Sequence, residues 1–232
     1  MIISINQPAY LPWLGYFNKV LLSDVFVWLE DVQFRKNYFQ NRTKIKGNQN
    51  ELWLTLPVKK GGLDQKIKDV ELIKGRDFNK LSKTIKTYYS KSKYYSLYAK
   101  EIEEILITSN NSLNDLNFNL FSFFVQKLNF DTKIIKSESL KLIEQEPNKR
   151  LIEICSKLNA TKYIAGKGSR DYMNQSLFES NNIDILWQKY PVEDVIYQQL
   201  KGNFISGLSI LDVIFNVGEE KTRELIEVQW KN

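Results

Sequence analysis

The sequence contains no histidine among its 232 residues and only one cysteine, Cys155. The lack of histidine excludes an imidazole general base, a Ser-His-Asp triad and imidazole metal ligands. A single cysteine excludes both an intramolecular disulfide and a multi-thiolate zinc site. The lack of a disulfide is typical of a protein from a reducing compartment. A metal ion would need mainly oxygen ligands, and no metal site is predicted. Catalysis would have to use carboxylates, lysine, tyrosine, amides or a group of the substrate.

Long apolar runs are also missing. No run approaches the roughly 20 residues that cross a bilayer, and the N-terminus lacks the basic region of a signal peptide. We therefore expect a cytoplasmic protein without membrane insertion. The chain is 43% hydrophobic and 26% charged, which favours one globular domain over residues 1–232. The net charge of +6 comes mostly from lysines dispersed among carboxylates, so nucleic acid is not expected as a partner, except tRNA as an aminoacyl donor.

Two short apolar segments flank a helical pattern near the N-terminus. Residues 2–5 are an apolar run, helical periodicity follows Pro12 to about Ser23, and residues 25–29 are continuously apolar. Strand, helix and strand within about thirty residues indicate a βαβ unit and hence a parallel sheet. A continuously apolar run is typical of a strand that is buried on both faces.

The rest of the chain extends this pattern. Residues 132–136, 162–165 and 183–187 are further strand candidates, and residues 52–58 alternate in polarity as a half-buried strand does. A mostly helical insertion is predicted around residues 78–129. The predicted fold class is therefore α/β, with a mainly parallel sheet, helices on both faces and this helical insertion.

Helix ends in the C-terminal third are marked by particular residues. One helix carries Cys155 on its apolar stripe, and Asn159 is placed to end it. Cys155 is therefore predicted to be a core residue rather than a nucleophile. Ser209 with Asp212 resembles a capping box that begins a last helix, and Gly218 is predicted to end that helix.

The segment after the first predicted strand combines two prolines with amides and aromatic rings. In a parallel sheet, loops at the carboxyl ends of strands bind ligands, and prolines hold such a loop in one shape. Asn6 and Gln7 can donate hydrogen bonds to a developing oxyanion. Tyr10, Trp13 and Tyr16 offer stacking surfaces for a base or sugar. The alternative is a rigid connection in which Trp13 only packs.

A second polar cluster follows the second predicted strand. Asp31 is the candidate general base, or a ligand of Mg²⁺, and Gln33 and Asn41 are candidate binding residues. Arg42 can hold a phosphate or carboxylate with two parallel hydrogen bonds. The alternative is a solvated turn with a surface ion pair. We predict that Gln7, Tyr10, Trp13, Asp31 and Arg42 line one pocket, since their loops follow adjacent strands.

A third candidate is the loop Gly166-Lys167-Gly168-Ser169-Arg170, which follows a predicted strand. Paired glycines can expose backbone N–H groups to a phosphate, and Lys167 and Arg170 add positive charge. The loop lacks the order of residues of a Walker motif, and a plain turn is the alternative interpretation.

Segments in the same order along nearly the whole chain resemble the WbqC-like family of bacterial polysaccharide gene clusters. The matching segments are Gln7-Pro8-x-Tyr10-Leu11-Pro12-Trp13-Leu14-Gly15-Tyr16-Phe17, Ser23-Asp24-Val25-Phe26-Val27, Asp31-Val32-Gln33-Phe34, Asn41-Arg42, Trp53-Leu54-Thr55-Leu56-Pro57-Val58, Tyr163-Ile164-Ala165-Gly166, Tyr197-Gln198 and Leu208-Ser209-Ile210-Leu211-Asp212. Many members carry histidine where this chain has Asn6, so a catalytic histidine cannot be essential here. By this resemblance, Tyr197 and Gln198 join the candidate substrate-binding residues.

The resemblance implies a role in O-antigen or related polysaccharide biosynthesis. The implied reaction transfers glycine or another aminoacyl group to the amine of a nucleotide-linked amino sugar. One alternative is a nucleotidyl-transfer or adenylate-forming enzyme, which would use ATP with Mg²⁺, although the histidine pair usual in such enzymes is missing. Another alternative is a non-catalytic module that binds a glycan precursor.

Overall fold

A computed structural model describes residues 1–228 of the chain. This part of it contains seven strands and seven α-helices. They are β1 (Ile2–Asn6), α1 (Leu14–Leu21), β2 (Val25–Trp28), β3 (Arg42–Lys46), β4 (Glu51–Thr55), α2 (Arg76–Tyr89), α3 (Tyr95–Thr108), α4 (Leu113–Lys127), β5 (Lys133–Lys136), α5 (Pro147–Lys157), β6 (Lys162–Ala165), α6 (Gln175–Glu179), β7 (Asp184–Trp187) and α7 (Ile210–Ile226).

The main sheet has five strands in the order β5-β2-β1-β6-β7, and every neighbouring pair is parallel. β1 lies at the centre, where Ile3 pairs with Val25 of β2 on one side and with Tyr163 of β6 on the other. β2 is buried on both faces, with Val25 and Val27 on one side and Phe26 and Trp28 on the other, as its continuous apolar pattern predicts. The predicted parallel α/β sheet is therefore confirmed.

Helices cover both faces of this sheet. On one face α1, α4 and α7 pack with side chains of the sheet such as Phe26 and Trp28. On the other face α5 and α6 pack against Ile3, Ile5 and Val27. The helical insertion predicted around residues 78–129 is α2, α3 and α4. Among residues 1–228, no helix combines the length and the apolar character that crossing a membrane requires.

The predicted strand over residues 52–58 is shorter than expected and lies outside the main sheet. β4 ends at Thr55, before Pro57, and pairs only with β3 in a separate antiparallel hairpin. Proline has no N–H for a strand ladder, so the strand ends before it. Trp53 lies on the outer side of this hairpin, where it is partly exposed.

The predicted helix ends are partly correct. Asn159 adopts a left-handed conformation (φ 53°) directly after α5, and Cys155 is buried as predicted. The capping box at α7 is wrong: the Ser209 side chain accepts from the backbone of Leu211, whereas Asp212 is buried and accepts from two tyrosine hydroxyls. Gly218 (φ 78°) is non-helical, so the first helical segment of α7 ends there as predicted, and a second segment continues after this kink to Ile226.

Candidate functional site at the carboxyl edge of the sheet

The order of the strands defines a crevice beside β1. From β1 the chain moves to β2 and then to β5 on one side, and it returns to the other side for β6 and β7. The connecting helix α1 lies on one face and α5 on the other. In open parallel sheets, ligands bind outside the carboxyl ends of the strands where the order reverses in this way. Here that position lies between the loops after Asn6 and after Ala165.

The loop after β1 is held in a strained conformation. Leu11 has a positive φ of 46° immediately before Pro12, which for leucine costs about 1 kcal/mol or more. Its carbonyl oxygen accepts hydrogen bonds from the side chains of Thr43 (3.0 Å) and Ser209 (2.8 Å). The surrounding structure therefore fixes this loop, as the two prolines predict.

Gln7 is exposed at this edge, and its side chain is oriented by neighbours. Gln40 donates from Nε2 to Oε1 of Gln7 at 2.7 Å, and the Tyr16 hydroxyl donates to the backbone oxygen of Gln7 at 3.0 Å. Gln40 is itself buried, and its Oε1 accepts from the backbone N–H of Arg35 at 2.7 Å. Sequence reasoning missed Gln40, because nothing local distinguishes it from a polar loop residue.

The sequence suggested Tyr10 and Tyr16 as stacking surfaces for a ligand, but neither tyrosine can act in this way. Tyr10 is 1% exposed and Tyr16 is also buried, so both rings belong to the core. Burial raises the pKa of the Tyr16 hydroxyl well above its usual value. Trp13 packs edge-on against Tyr190 with ring centroids 5.7 Å apart. A Cβ on Gly15 would lie 2.1 Å from the Trp13 ring, so glycine is required there.

Lys19 of α1 is a further residue of this edge that sequence reasoning missed. It is only 4% exposed, and its Nζ donates to Oδ1 of Asn6 at 2.6 Å and, more weakly, to the carbonyl of Ile5 at 3.4 Å. Within residues 1–228 it takes part in no ion pair that would offset its burial. Burial lowers the pKa of Lys19 to about 7. No local signal marks Lys19, because the helical period places it away from the apolar stripe that contains Phe17 and Val20.

Asp31 lies in the loop after β2, and both of its carboxylate oxygens accept hydrogen bonds. Ser137 donates to Oδ1 at 2.7 Å, and Arg150 of α5 forms a buried salt bridge with Oδ2. Burial alone would raise the pKa of Asp31, but the hydrogen bonds from Ser137 and Arg150 outweigh it and hold the pKa below its usual value. The interpretation of Asp31 as a solvated turn residue is therefore wrong, and a carboxylate so stabilised is a weak base.

The buried carboxyl of Glu30 lies beside this salt bridge. Its Oε1 accepts from the backbone N–H of Glu138 at 3.0 Å, and its Oε2 is buried with no hydrogen-bond partner among residues 1–228. Burial raises the pKa of Glu30 above its usual value. Within the same range of residues, no group of three or more acidic, cysteine or histidine side chains is placed to hold a metal ion.

The other binding candidates of this region lie in different surroundings. Arg42 places its guanidinium carbon 4.0 Å above the Trp53 ring. Asn41 is buried, donating to the backbone of Leu56 and accepting from that of Asn37, so it shapes the chain. Gln33 likewise donates to a backbone carbonyl, at residue 63.

The loop after β6 forms a short 3-10 turn at Lys167–Ser169. The backbone N–H groups of Ser169 and Arg170 bond within this turn, to the carbonyls of Gly166 and Lys167. A Cβ on Gly166 or Gly168 would meet nothing within 4 Å, so neither glycine is needed for packing. Lys167 and Arg170 are both exposed at this edge of the sheet. The guanidinium carbon of Arg170 lies 5.0 Å from the ring centroid of Trp187 in β7.

Comparison with known proteins agrees with this arrangement of segments. The model of the WbqC-like protein family matches residues 7–224, nearly the whole chain. The chain belongs to the WbqC-like protein family. The uncharacterized protein Rv1507c of Mycobacterium tuberculosis is 32% identical over 222 residues, which cover 94% of each chain. No solved structure matches the sequence.

This WbqC-like protein does not gather all of its predicted site residues into one pocket. Tyr10 lies in the core, and Trp13 lines a small cleft with Tyr190, Tyr197 and Leu208. That cleft, as described within residues 1–228, includes neither Gln7, Asp31 nor Arg42. The prediction of a single pocket for these five residues is therefore wrong. The carboxyl edge instead brings together Asn6, Gln7 and Lys19, with the loop after β6 on the neighbouring strand.

Tyr197 belongs to a buried network behind that cleft. Its hydroxyl donates to Asp212 at 2.7 Å, the Tyr89 hydroxyl donates to the other oxygen of Asp212 at 2.9 Å, and Gln199 donates to Tyr197 at 3.0 Å. Burial raises the pKa of Asp212, although the tyrosine hydrogen bonds act against it. This network joins α2, α7 and the loop before α7. Gln198, the other candidate in that loop, is exposed.

Proposed function

We propose that this WbqC-like protein transfers an aminoacyl group, glycine or similar, to the amine of a nucleotide-linked amino sugar in bacterial polysaccharide biosynthesis. The observation that carries the proposal is the amine of Lys19, held against Asn6 at the carboxyl end of the central strand. Amide formation requires a base that takes a proton from the attacking amine, and the best base has a pKa near the working pH. The lowered pKa of Lys19, about 7, meets this requirement.

The step follows from the groups at this edge. The sugar amine enters beside the half-buried Asn6, and its nitrogen attacks the acyl carbonyl carbon. The new C–N bond forms, the leaving group of the acyl donor departs with its electron pair, and one amine proton passes to Nζ of Lys19. The Oε1 atom of Gln7 accepts a hydrogen bond from Gln40. The Nε2 group of Gln7 therefore points away from Gln40 and donates to the developing oxyanion.

Asp31 has a different role in this proposal from the one the sequence suggested. Its charge is neutralised by Arg150, so it fixes the end of β2 to α5 rather than removing a proton. Lys167 and Arg170 are exposed on the neighbouring strand end and supply cations for the phosphate of the acyl donor. The acyl donor thus lies across the crevice between β1 and β6, and the amino sugar reaches it from the side of Gln7.

A nucleotidyl-transfer or adenylate-forming enzyme is the second candidate, and the strand order favours it. Nucleotides bind at the reversal point of many open parallel sheets. ATP would place its phosphates near Lys167 and Arg170. Because residues 1–228 contain no cluster of acidic ligands, Mg²⁺ would have to arrive bound to those phosphates.

Mass spectrometry of defined mixtures tests the proposal. Purified protein is incubated with nucleotide-linked amino sugars and either glycine with ATP or glycyl-tRNA. A sugar nucleotide heavier by one glycyl residue supports transfer, whereas AMP release without that product supports adenylate formation. Binding without turnover of any donor would refute the proposal and leave a glycan-precursor binding module.

A matched pair of lysine variants tests the base. Lys19→Gln removes the amine beside Asn6, and we expect kcat to fall by about 10²-fold or more. Lys83→Gln removes an exposed lysine of α2 and should leave kcat unchanged. Wild-type kcat should rise with pH through about 7, as Lys19 loses its proton. A folded Lys19→Gln variant with wild-type turnover would show that another group takes the proton.

A further inference from the structure

Three large aromatic side chains lie together on the surface near the β3–β4 hairpin. Tyr38 is 50% exposed, Phe39 42% and Trp53 37%. The ring centroids of Tyr38 and Phe39 are 5.5 Å apart, and those of Phe39 and Trp53 are 5.7 Å apart. We call these three residues the aromatic platform. Contiguous exposed apolar surface is typical of binding sites, whereas apolar residues scattered singly over a surface need no such explanation.

Cations surround the platform. The guanidinium of Arg42 lies 4.0 Å above the Trp53 ring, and Nζ of Lys44 lies 5.3 Å from the same ring. Lys44 is paired with Glu51 at 2.7 Å. Arg42 has no such partner among residues 1–228, and its Nε is buried without a hydrogen bond. The exposed Arg35 adds a further positive charge from the loop that carries Phe39.

The platform is tied to the loop at the carboxyl edge of the main sheet. The backbone N–H of Tyr10 donates to the carbonyl of Phe39 at 2.9 Å. The next residue, Gln40, donates to the side chain of Gln7 at 2.7 Å. A single ligand can therefore touch the platform with one end and the exposed Gln7 with the other.

We propose that the aromatic platform binds the base of a nucleoside diphosphate, with the diphosphate against Arg42 and the attached sugar extending toward Gln7. This inference rests on the proposed function, since it takes the substrate to be a sugar nucleotide. A base stacks on aromatic rings through its π-face, and guanidinium holds phosphate oxygens in a planar, paired geometry. A neutral glycan would use the rings but would leave the unpaired Arg42 without an anion.

Calorimetric titration of the full-length protein tests the platform. The probes are UDP, GDP, CDP, ADP and dTDP, with inorganic pyrophosphate as the probe without a base. Trp53→Ala removes the ring on which the Arg42 guanidinium lies. Phe39→Ala, the second variant, removes a neighbouring ring of the platform. Leu97→Ala, an exposed apolar residue on α3, is the matched control. Thermal melts of each variant show whether it is folded.

We expect at least one nucleoside diphosphate to bind, and Phe39→Ala to weaken that binding about tenfold, as the loss of one stacking contact does. Phe39→Ala should leave pyrophosphate binding unchanged, Arg42→Gln should weaken both, and Leu97→Ala should change neither. Equal nucleotide affinity of wild type and both ring variants would overturn the inference. If the ring variants keep wild-type nucleotide affinity but change self-association in sedimentation, the platform is a protein interface instead.

The transfer assay keeps the two proposals distinguishable. Ring-dependent nucleotide binding without formation of a glycyl sugar refutes the proposed function but leaves the platform as a nucleotide site. Formation of the product with unchanged KM for the sugar nucleotide in Phe39→Ala supports the function and refutes the platform.

Discussion

Replacing the buried Lys19 by methionine should stabilise the protein, in a way that depends on pH. Methionine fills similar space with a flexible apolar side chain and carries no charge. The change removes the hydrogen bond to Asn6, which is worth about 1 kcal/mol. It also removes the cost of keeping an ammonium group away from water without a carboxylate beside it.

The size of that cost follows from the two pKa values of Lys19. Burial lowers the pKa from 10.5 in the open chain to about 7 in the fold, and each pH unit between them is worth about 1.4 kcal/mol. Protonated Lys19 therefore destabilises the fold by about 5 kcal/mol below pH 7. Between pH 7 and 10.5 the unfolded chain binds the extra proton, so wild-type stability rises with pH. The lysine contribution should grow by about 2 kcal/mol from pH 7 to pH 9.

Urea unfolding of wild type and Lys19→Met at half-unit steps from pH 6 to pH 9.5 measures this directly. The variant should be more stable at pH 6 to 7 by several kcal/mol, about 4 after the lost hydrogen bond is counted. The difference should shrink steadily above pH 7. Two stability curves that stay parallel across this range would show that Lys19 titrates as an ordinary lysine, and would remove it as a base near neutrality. Lys83→Met provides the exposed control.

Three other substitutions test the contacts of this fold. Asp31→Asn should leave the Arg150 charge buried without its partner and lower the free energy of unfolding by about 3 kcal/mol, with kcat reduced far less than tenfold. Because the pKa of Asp31 is lowered, the wild-type advantage should hold at neutral pH and be lost as the pH falls below about 4; chemical denaturation across pH 3 to 7 measures both. Gly15→Ala should lower stability by about 2 kcal/mol and blue- or red-shift the tryptophan emission, since its Cβ would meet an indole ring; an unshifted spectrum with wild-type stability would contradict the packing. Tyr197→Phe should cost about 2 kcal/mol by depriving buried Asp212 of one donor, and a melting temperature equal to wild type would count against that network.

The main sheet could be predicted because its signals are local. The βαβ pattern at the N-terminus and the apolar segments around residues 133–136, 162–165 and 184–187 each produce a parallel strand of the sheet. The half-buried alternation of residues 52–58 predicts a strand, but it does not predict that the strand pairs with β3 rather than with the main sheet. Strand pairing depends on which surfaces meet in the folded chain, and a period of two cannot specify that.

The candidate site was predictable in its position and less so in its chemistry. Placing it after the first strand required only strand order and the rule that ligands bind at carboxyl edges. The roles assigned to individual residues failed where burial decided them. Tyr10 has the composition of a stacking residue but lies in the core, and Asp212 has the spacing of a helix cap but accepts from tyrosines that come from two other segments.

The sequence by itself determined that this is a parallel α/β protein of the WbqC-like family whose first loop is rigid. It also excluded histidine chemistry and an intramolecular disulfide. Only the tertiary structure decided that Asp31 is neutralised by Arg150, 119 positions away, and that the amine of Lys19 is buried against Asn6. Periodicity and turn chemistry act over a few neighbouring residues. The charge and pKa of a side chain depend instead on solvent exposure and on partners that packing brings from distant parts of the chain.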